Sequence, residues 1–214
     1  MLNADLQQRV VLETATLDWA SGPQAGVQRR LLESDAAKVA RASAIVRYAP
    51  GTRYGRHGHR GGEELFVLEG TLSDERGHYP AGCYIRNPPG SSHDPWSEGG
   101  CTMLIKLCQM LPSQRERVVI DTRAGPWRGP AQRLQRQRLF RDPDAGETVA
   151  LVRFAPGARL EGDRHPGGEE VFVLEGELRD EFGRYPAGTW LRQPPGSLHS
   201  PQSETGCTLF VKCG

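Results

Sequence analysis

Three histidines and one glutamate in the first half of the sequence have the types and the spacing of a metal site. His57 and His59 are separated by one residue, and alternate residues of a β-strand project to the same face. Glu63 follows a Gly-Gly pair that permits a turn, and His93 follows a rigid Pro-Pro-Gly turn. A single histidine is usually exposed or hydrogen-bonded, but imidazoles and a carboxylate that converge in an apolar interior bind a divalent transition metal. We therefore predict metal binding by His57, His59, Glu63 and His93.

The second half of the sequence repeats this set with one imidazole replaced by a carboxylate. Asp is shorter than His and is a harder ligand. Three outcomes stay open: the site favours an oxygen-preferring metal, it holds a metal through water, or it has none and Asp163 pairs with Arg159 or Arg164. The predicted residues of this second site are Asp163, His165, Glu169 and His199.

The two sets belong to an internal repeat. A shift of 106 positions aligns residues 41–107 with residues 147–213 without a gap, and 38 of the 63 positions from Ala44 to Lys106 are identical. At a slightly larger offset, RVVLETATLDW at 9–19 pairs with RVVIDTRAGPW at 117–127. A unit of about a hundred residues is long enough to form its own core, so duplication of a whole domain is the simplest explanation. We predict one domain over residues 1–110 and a second over residues 111–214.

Short strands are the elements that must position these residues. The apolar runs of the first repeat are brief, and in CTMLIKL at 101–107 two sets of residues alternate, as in a strand with two different faces. SDERGHYPAG and RDEFGRYPAG place turn residues around Gly77 and Gly183, as a hairpin requires. The sequence therefore predicts an all-β protein made of two β-sandwiches or barrels.

Taken together, these motifs resemble those of the cupin superfamily. The segments GGEELFVLEG, YPAG and NPPGSSH are similar to those of the ChrR-type cupins, which form the C-terminal domain of a zinc-dependent anti-sigma factor. The resemblance implies two tandem cupin barrels of the double-stranded β-helix or jelly-roll type. It also implies a small-molecule ligand in the barrel and a divalent metal, with zinc favoured and iron, manganese or nickel left open. The two-part cupin signature, with Ser97 where Asn is usual, is Gly51-x5-His57-x-His59-x3-Glu63-x6-Gly70 and then Gly82-x5-Pro88-x-Gly90-x2-His93.

Three functions are compatible with this resemblance. The first is a sensor that recognises a small molecule or oxidant, as the ChrR regulatory domain would. ChrR carries a separate N-terminal helical module with its own His/Cys zinc site, but no His precedes His57 here and no Cys precedes Cys83, so we do not expect a sigma-factor partner. The second is a metal-dependent dioxygenase or a related oxidase, isomerase or hydrolase, although no general base or nucleophile stands out beyond the ligands. The third is a metal that only braces the barrel.

The composition of the chain limits the classes of partner and the cellular compartment that we expect. The 27 basic and 26 acidic residues give a net charge of +1, which argues against nucleic acid or an anionic membrane as the main partner. The first residues lack the pattern of a signal peptide, so we expect a cytoplasmic protein, with a homodimer left open. The five cysteines include no C-x-x-C pair, and we expect free thiols. Cys101 and Cys207 are either small buried hydrophobes or redox-sensing thiols.

Charged residues near the ligands have two interpretations each. Glu64 and Glu170 should point to the opposite face from the ligands, where they are solvated or paired with Arg. Arg86 and Arg192 either line the cavity mouth and recognise a carboxylate or lie on an exposed face. His78 lies in a polar turn, apart from the metal site.

Overall fold

The structure of the protein is a computed structural model that describes residues 1–37 and 40–214. The chain forms two compact units: Met1–Ala4 with Leu17–Gly125, and Asp5–Thr16 with Pro126–Gly214. Among the described residues the only helix is the short 3-10 turn Thr14–Thr16, and none is long and apolar enough to cross a membrane. The predicted all-β fold is confirmed.

Antiparallel strands make up both units. The first thirteen in chain order are β1 (Val10–Glu13), β2 (Ala20–Ser21), β3 (Val27–Ser34), β4 (Ala42–Tyr48), β5 (Thr52–Arg53), β6 (His57–His59), β7 (Glu63–Asp74), β8 (Gly77–Pro80), β9 (Cys83–Asn87), β10 (Ser91–His93), β11 (Trp96–Ser97), β12 (Cys101–Leu107) and β13 (Val118–Asp121). The others are β14 (Leu134–Asp142), β15 (Glu147–Phe154), β16 (Ala158–Arg159), β17 (Asp163–His165), β18 (Glu169–Asp180), β19 (Gly183–Pro186), β20 (Thr189–Gln193), β21 (Ser197–His199), β22 (Gln202–Ser203) and β23 (Cys207–Cys213).

The main sheet of the first unit has the strand order β13-β9-β7-β12-β4-β3-β2, and β6 and β10 form a separate two-stranded sheet. β7 continues into β8 through the predicted hairpin, with Asp74 opposite Gly77. Alternate residues of these strands turn inward and pack as one apolar core, in which Met103 and Val67 are almost fully buried. The first unit thus consists of a main sheet with an apolar core and a small sheet that carries the histidines.

The second unit has the same plan. Its main sheet has the order β1-β20-β18-β23-β15-β14, and β17 pairs with β21. Its hairpin between β18 and β19 places Asp180 opposite Gly183, and its core packs around Val173 and Leu209. The duplication inferred from the sequence is thus a duplication of the barrel.

Each compact unit takes one edge strand from the beginning of the other repeat. β1 pairs with β20, with Val10 opposite Arg192, and β13 pairs with β9, with Val118 opposite Arg86. The bounds of the compact units therefore differ from a simple division of the chain between residues 110 and 111. That division stays a prediction for the boundary between the two sequence repeats. The exchange of edge strands between the repeats has a physical reason. The segments RVVLETATLDW and RVVIDTRAGPW are so similar that each can form the same edge strand.

The arginines expected at a cavity mouth or on an exposed face are buried. Arg86 is 1% exposed and Arg192 is 5% exposed. Arg86 lies 3.3 Å from Glu64 Oε1 and donates to Gln114 Oε1 at 2.8 Å, while Arg192 donates to the backbone oxygen of Asp5 at 2.8 Å. Neither a place at the cavity mouth nor one on an exposed face is correct for these arginines. Other residues cover them, such as Gln114 at Arg86 and Asp5 at Arg192. Glu64 pairs with an arginine, which is one of its two expected states, and is not solvated.

Two further polar residues complete this comparison. Glu170 is also buried, and its Oε1 accepts a hydrogen bond of 2.8 Å from Trp190 Nε1. His78 is exposed on β8, where its Nδ1 lies 2.9 Å from Ser73 Oγ. It lies outside the group of predicted metal ligands.

Candidate metal centre

The three histidines of the first predicted site lie side by side on the small sheet. β10 pairs with β6 so that His93 stands directly opposite His57, and opposite residues of an antiparallel pair share a face. His59 shares that face because it is two residues from His57. The ring centroids of the three imidazoles are 4.8 Å apart in every pair.

The Gly-Gly turn between β6 and β7 brings the glutamate to the same place. Gly62 has a φ of 79°, and a Cβ at Gly61 would lie 2.7 Å from Cys108 Cα, so neither position accepts a side chain easily. Glu63 then begins β7 opposite Asn87 of β9, whose Nδ2 donates to Glu63 Oε2 at 2.9 Å. This bond fixes the direction of the carboxylate.

These four side chains form a group that we call the first donor cluster. One donor atom from each lies within 4.8 Å of the others, and Glu63 Oε2 is 3.6 Å from Nε2 of both His59 and His93. Both Nε2 atoms are buried and have no hydrogen-bond partner among the residues that the structure describes. A buried nitrogen without a partner is costly, and a divalent metal among these ligands would satisfy both. The residues therefore fit a metal; the members of the cluster are His57, His59, Glu63 and His93.

The protonation of the cluster also suits a metal. Burial, with a smaller effect of His57, lowers the pKa of His59 to about 4. Burial also lowers the pKa of His93, although Glu63 opposes this effect. Neutral imidazole is the form that binds a metal ion.

Asp74, Tyr79 and Arg117 form a chain of polar contacts that reaches the first donor cluster at His93. Asp74 Oδ2 lies 3.5 Å from Nδ1 of His93, and the Tyr79 hydroxyl donates to Asp74 Oδ1 at 2.7 Å. Arg117, just before β13, donates to the Tyr79 oxygen at 2.8 Å and to Asn87 Oδ1 at 3.1 Å. Partners of this kind set the tautomer and orientation of a metal-binding histidine.

The second predicted site is also assembled, with closer contacts between its histidines. Its members, which we call the second donor cluster, again offer donor atoms within 4.8 Å of one another. Nε2 of His165 lies 3.0 Å from Nε2 of His199, and Glu169 Oε2 is 3.5 Å from each. Asp163 stands opposite His199 and its Oδ2 is 3.8 Å from His165 Nε2. The cluster consists of Asp163, His165, Glu169 and His199.

Asp163 contacts the histidines rather than an arginine. Within the described residues it forms no ion pair with Arg159 or Arg164, and Arg159 pairs with Glu161 at 3.2 Å instead. Its side chain is 33% exposed, so water can reach the carboxylate.

The support behind the second cluster matches that of the first. Asp180 Oδ2 lies 3.1 Å from His199 Nδ1, and the Tyr185 hydroxyl donates to Asp180 Oδ1 at 2.5 Å. Arg9, just before β1, donates to the Tyr185 oxygen and to Gln193 Oε1 at 3.1 Å. Arg9 and Arg117 occupy equivalent positions in the repeat.

His199, which stands opposite Asp163, is protonated more easily than His93, its equivalent in the first cluster. Burial alone would lower the pKa of His199, but hydrogen bonds to Asp180 and Glu169 outweigh burial and raise the pKa to about 9. The Nε2 atoms of His199 and His165 lie within hydrogen-bond distance of each other, at 3.0 Å. The two clusters therefore differ in charge as well as in composition.

A cavity of about 670 Å³ opens on the first donor cluster. His57, His59 and Glu63 form part of its wall, beside Tyr48 and Tyr54. The Tyr54 ring centroid lies 4.6 Å from that of His57 and 6.1 Å from that of Tyr48. The cluster is thus accessible to a small molecule that enters the barrel.

The corresponding cavity of the second unit is smaller and lacks two phenols. It measures about 370 Å³ and is lined by the second donor cluster. Phe154 and Leu160 stand where the first unit has Tyr48 and Tyr54, so both phenols are absent there.

The buried thiols have raised pKa values. Cys101 and Cys207 belong to the two apolar cores, and burial raises the pKa of both, that of Cys207 to about 11. This favours small buried hydrophobes over redox-sensing thiols. Cys213 lines the second cavity, where burial first and then Glu169 raise its pKa to about 12.

Sequence reasoning missed the supporting residues. The sequence marks Asp74 and Asp180 only as turn residues, and Arg9 and Arg117 only as parts of the repeat. The aspartate and the arginine are each kept in both copies, although neither a hairpin nor an edge strand needs a charge there. This identity was the one sign in the sequence that these residues have a further role. Their role is visible only when the edge strands are placed.

The fold is that of several solved structures of low sequence identity. A candidate dioxygenase from Nostoc punctiforme is 19% identical, with a TM-score of 0.82 over 97% of this chain and 83% of that chain. Protein Ylba from E. coli is 16% identical, with a TM-score of 0.74 over 100% and 93%. A deletion mutant of Bacillus subtilis oxalate decarboxylase OxdC is 15% identical, with a TM-score of 0.65 over 95% and 76%. These likenesses show the fold and confirm the two tandem cupin barrels.

Sequence comparison shows the family. No curated protein matches the chain. The ChrR cupin-like domain matches it twice, over residues 7–111 and 115–214, which together span nearly the whole sequence. The chain therefore belongs to the ChrR cupin-like domain family and carries two copies of the domain.

Proposed function

We propose that this protein is a metal-binding bicupin whose first donor cluster holds a divalent metal ion beside a cavity that binds a small molecule or oxidant signal. Zinc is the metal that the family resemblance favours. The observation that best supports the proposal is the pair of buried, unpartnered Nε2 atoms of His59 and His93, which face Glu63 Oε2. Imidazole nitrogen and carboxylate oxygen together are suitable ligands for zinc and its neighbours.

The cavity supports a binding role over a purely structural metal. A structural zinc site is closed on all sides by protein ligands, whereas a site that binds small molecules keeps an accessible position. Three of the four members of the first cluster line the 670 Å³ cavity. A ligand in this cavity would therefore lie next to the metal.

Elemental analysis of protein purified from its own host tests the metal. We expect about one tightly held divalent ion per chain, lost when His93 is replaced by Ala. Protein that carries no metal and takes up neither zinc, iron nor manganese on titration would refute the proposal.

A dioxygenase is the second candidate function. It is favoured by the accessible cluster and by the likeness to the candidate dioxygenase from Nostoc punctiforme. In that case a bound iron ion would supply redox chemistry with O2. The first donor cluster would hold the ion, Tyr48 and Tyr54 would orient the substrate by their hydroxyl groups, and the apolar wall would exclude water. Oxygen uptake by the iron-loaded protein, screened against small organic acids and phenols, separates this function from a sensor, which would show none.

We also propose a cytoplasmic location for the protein. Five cysteines without a pairing pattern are typical of proteins in a reducing compartment. Fractionation of host cells, followed by immunodetection, checks the location.

A further inference from the structure

An arginine that has no partner among the described residues lines the cavity of the first unit. Val27, Arg29 and Leu31 alternate along β3 with residues of the opposite face, and all three line the cavity. Arg29 forms no side-chain hydrogen bond or ion pair with any residue in the described part of the chain. Tyr54 lines the same cavity, and its ring centroid lies 4.6 Å from that of His57 in the donor cluster.

The charges of the cavity wall favour an anion. Among its described lining residues the cations are Arg29 and Arg60, while Glu63 is the sole carboxylate. A divalent metal at the donor cluster would make the wall more positive. The excess of positive charge in a confined space attracts negatively charged small molecules.

The rest of the wall is apolar. Val27, Leu31, Val46 and Ile105 cover the sides of the cavity, which has the size of an ordinary small-molecule site. In such a site a few polar groups orient a mostly apolar ligand, and the planar guanidinium of an arginine pairs with a carboxylate through two hydrogen bonds.

The second unit keeps an arginine at the same strand position. Arg136 on β14 stands opposite Val152, just as Arg29 stands opposite Val46, and it lines the second cavity. An arginine therefore lines the cavity in both copies. The smaller second cavity lacks the two phenols, which makes the first unit the better ligand site.

We propose that the cavity of the first unit binds a small carboxylic acid with an apolar body, and that Arg29 pairs with its carboxylate. The apolar body lies against Val27, Val46 and Tyr48, and the opposite end of the molecule points toward Tyr54 and His57. Only the contact at that opposite end rests on the proposed metal function, because the pairing with Arg29 needs no metal.

Benzoate is a suitable probe, and benzamide is its neutral counterpart of the same shape. Titration calorimetry should show that benzoate binds and that benzamide binds more weakly. Arg29→Gln removes the charge from an exposed side chain and should weaken benzoate binding about tenfold, as the loss of a charge-assisted hydrogen bond does. Arg47→Gln is the matched control, because Arg47 on β4 lies outside the cavity and contacts Gln28 and Trp19 instead. Its benzoate affinity should equal that of the unmodified protein.

The titrations are made with zinc-loaded and with EDTA-treated protein. The proposal is overturned if benzoate does not bind, if benzamide binds as tightly, or if the two variants bind benzoate equally well. An effect of Arg29→Gln in protein that never takes up metal would support the carboxylate site and refute the metal function. Metal uptake with no effect of Arg29→Gln would support the metal function and refute the carboxylate site.

Discussion

The two barrels of this chain share their framework and differ in their interiors. Both carry a four-residue donor cluster on a small sheet, supported by an aspartate, a tyrosine and an arginine. The first has three imidazoles, two phenols and a cavity of about 670 Å³, whereas the second has two imidazoles, an extra carboxylate and a cavity of about 370 Å³. Duplication thus preserved the residues that support the cluster and altered those that line the cavity.

The two clusters differ in one ligand, with Asp163 in place of His57, and in the protonation of their histidines. In the first cluster two imidazole nitrogens are buried without a partner in the described part of the chain, and burial keeps His59 and His93 easy to deprotonate. In the second, His199 is readily protonated because carboxylates face it on both sides. We therefore expect the first cluster to bind a metal ion more tightly than the second.

The largest effect is expected from removal of a ligand. His93→Ala should lower the zinc affinity of the first site by about 100-fold or more, because the shell loses one of its four donors. Glu63→Gln should weaken it less, since an oxygen remains. Calorimetric zinc titration measures both, with His199→Ala as the mirror control that leaves the tighter site intact. Full metal occupancy in His93→Ala would show that the cluster is assigned incorrectly.

A smaller effect is expected from the aspartate behind the cluster. Asp74→Asn keeps the size of the side chain but removes the charge that faces His93 Nδ1. Loss of such a partner typically weakens metal binding about 10- to 100-fold. Asp180→Asn is the control in the other unit and should leave the first site unchanged. Equal zinc affinity in Asp74→Asn and the unmodified protein would contradict a supporting role.

A still smaller effect is expected from the arginine that reaches the first cluster from the second repeat. Arg117→Gln should reduce zinc affinity about fivefold, because Asp74, Tyr79 and Asn87 lose a shared partner. Arg9→Gln removes the equivalent residue from the second unit and should not affect the first site. If Arg9→Gln has the larger effect on the tight site, the pairing of edge strands with barrels is wrong.

No effect is expected from reduction of the protein. The five cysteines form no disulfide in the described part of the chain, so a reductant should leave the melting temperature unchanged. Thiol titration after unfolding should find five reactive groups. Fewer groups, together with a melting temperature that falls on reduction, would contradict this expectation.

Much of this arrangement could be predicted from the sequence. The i, i+2 spacing of His57 and His59 and the turns before Glu63 and His93 act over short distances, and the structure brings all four together. The burial of Arg86 could not be predicted, because it depends on the partners of the outer sheet face. The contribution of Arg117 to the first barrel was also hidden, since either repeat could have kept its own edge strand.

The central claim is that the first cluster is the better metal site because Asp163 replaces an imidazole in the second. The most direct test is to titrate zinc into two mirror variants. One carries His57→Ala with His93→Ala, and the other carries His165→Ala with His199→Ala. We predict tight binding only in the variant that keeps the first cluster, and a gain in affinity when Asp163→His is added to the variant that keeps the second. Equal zinc affinity in the two mirror variants, unchanged by Asp163→His, would contradict the claim.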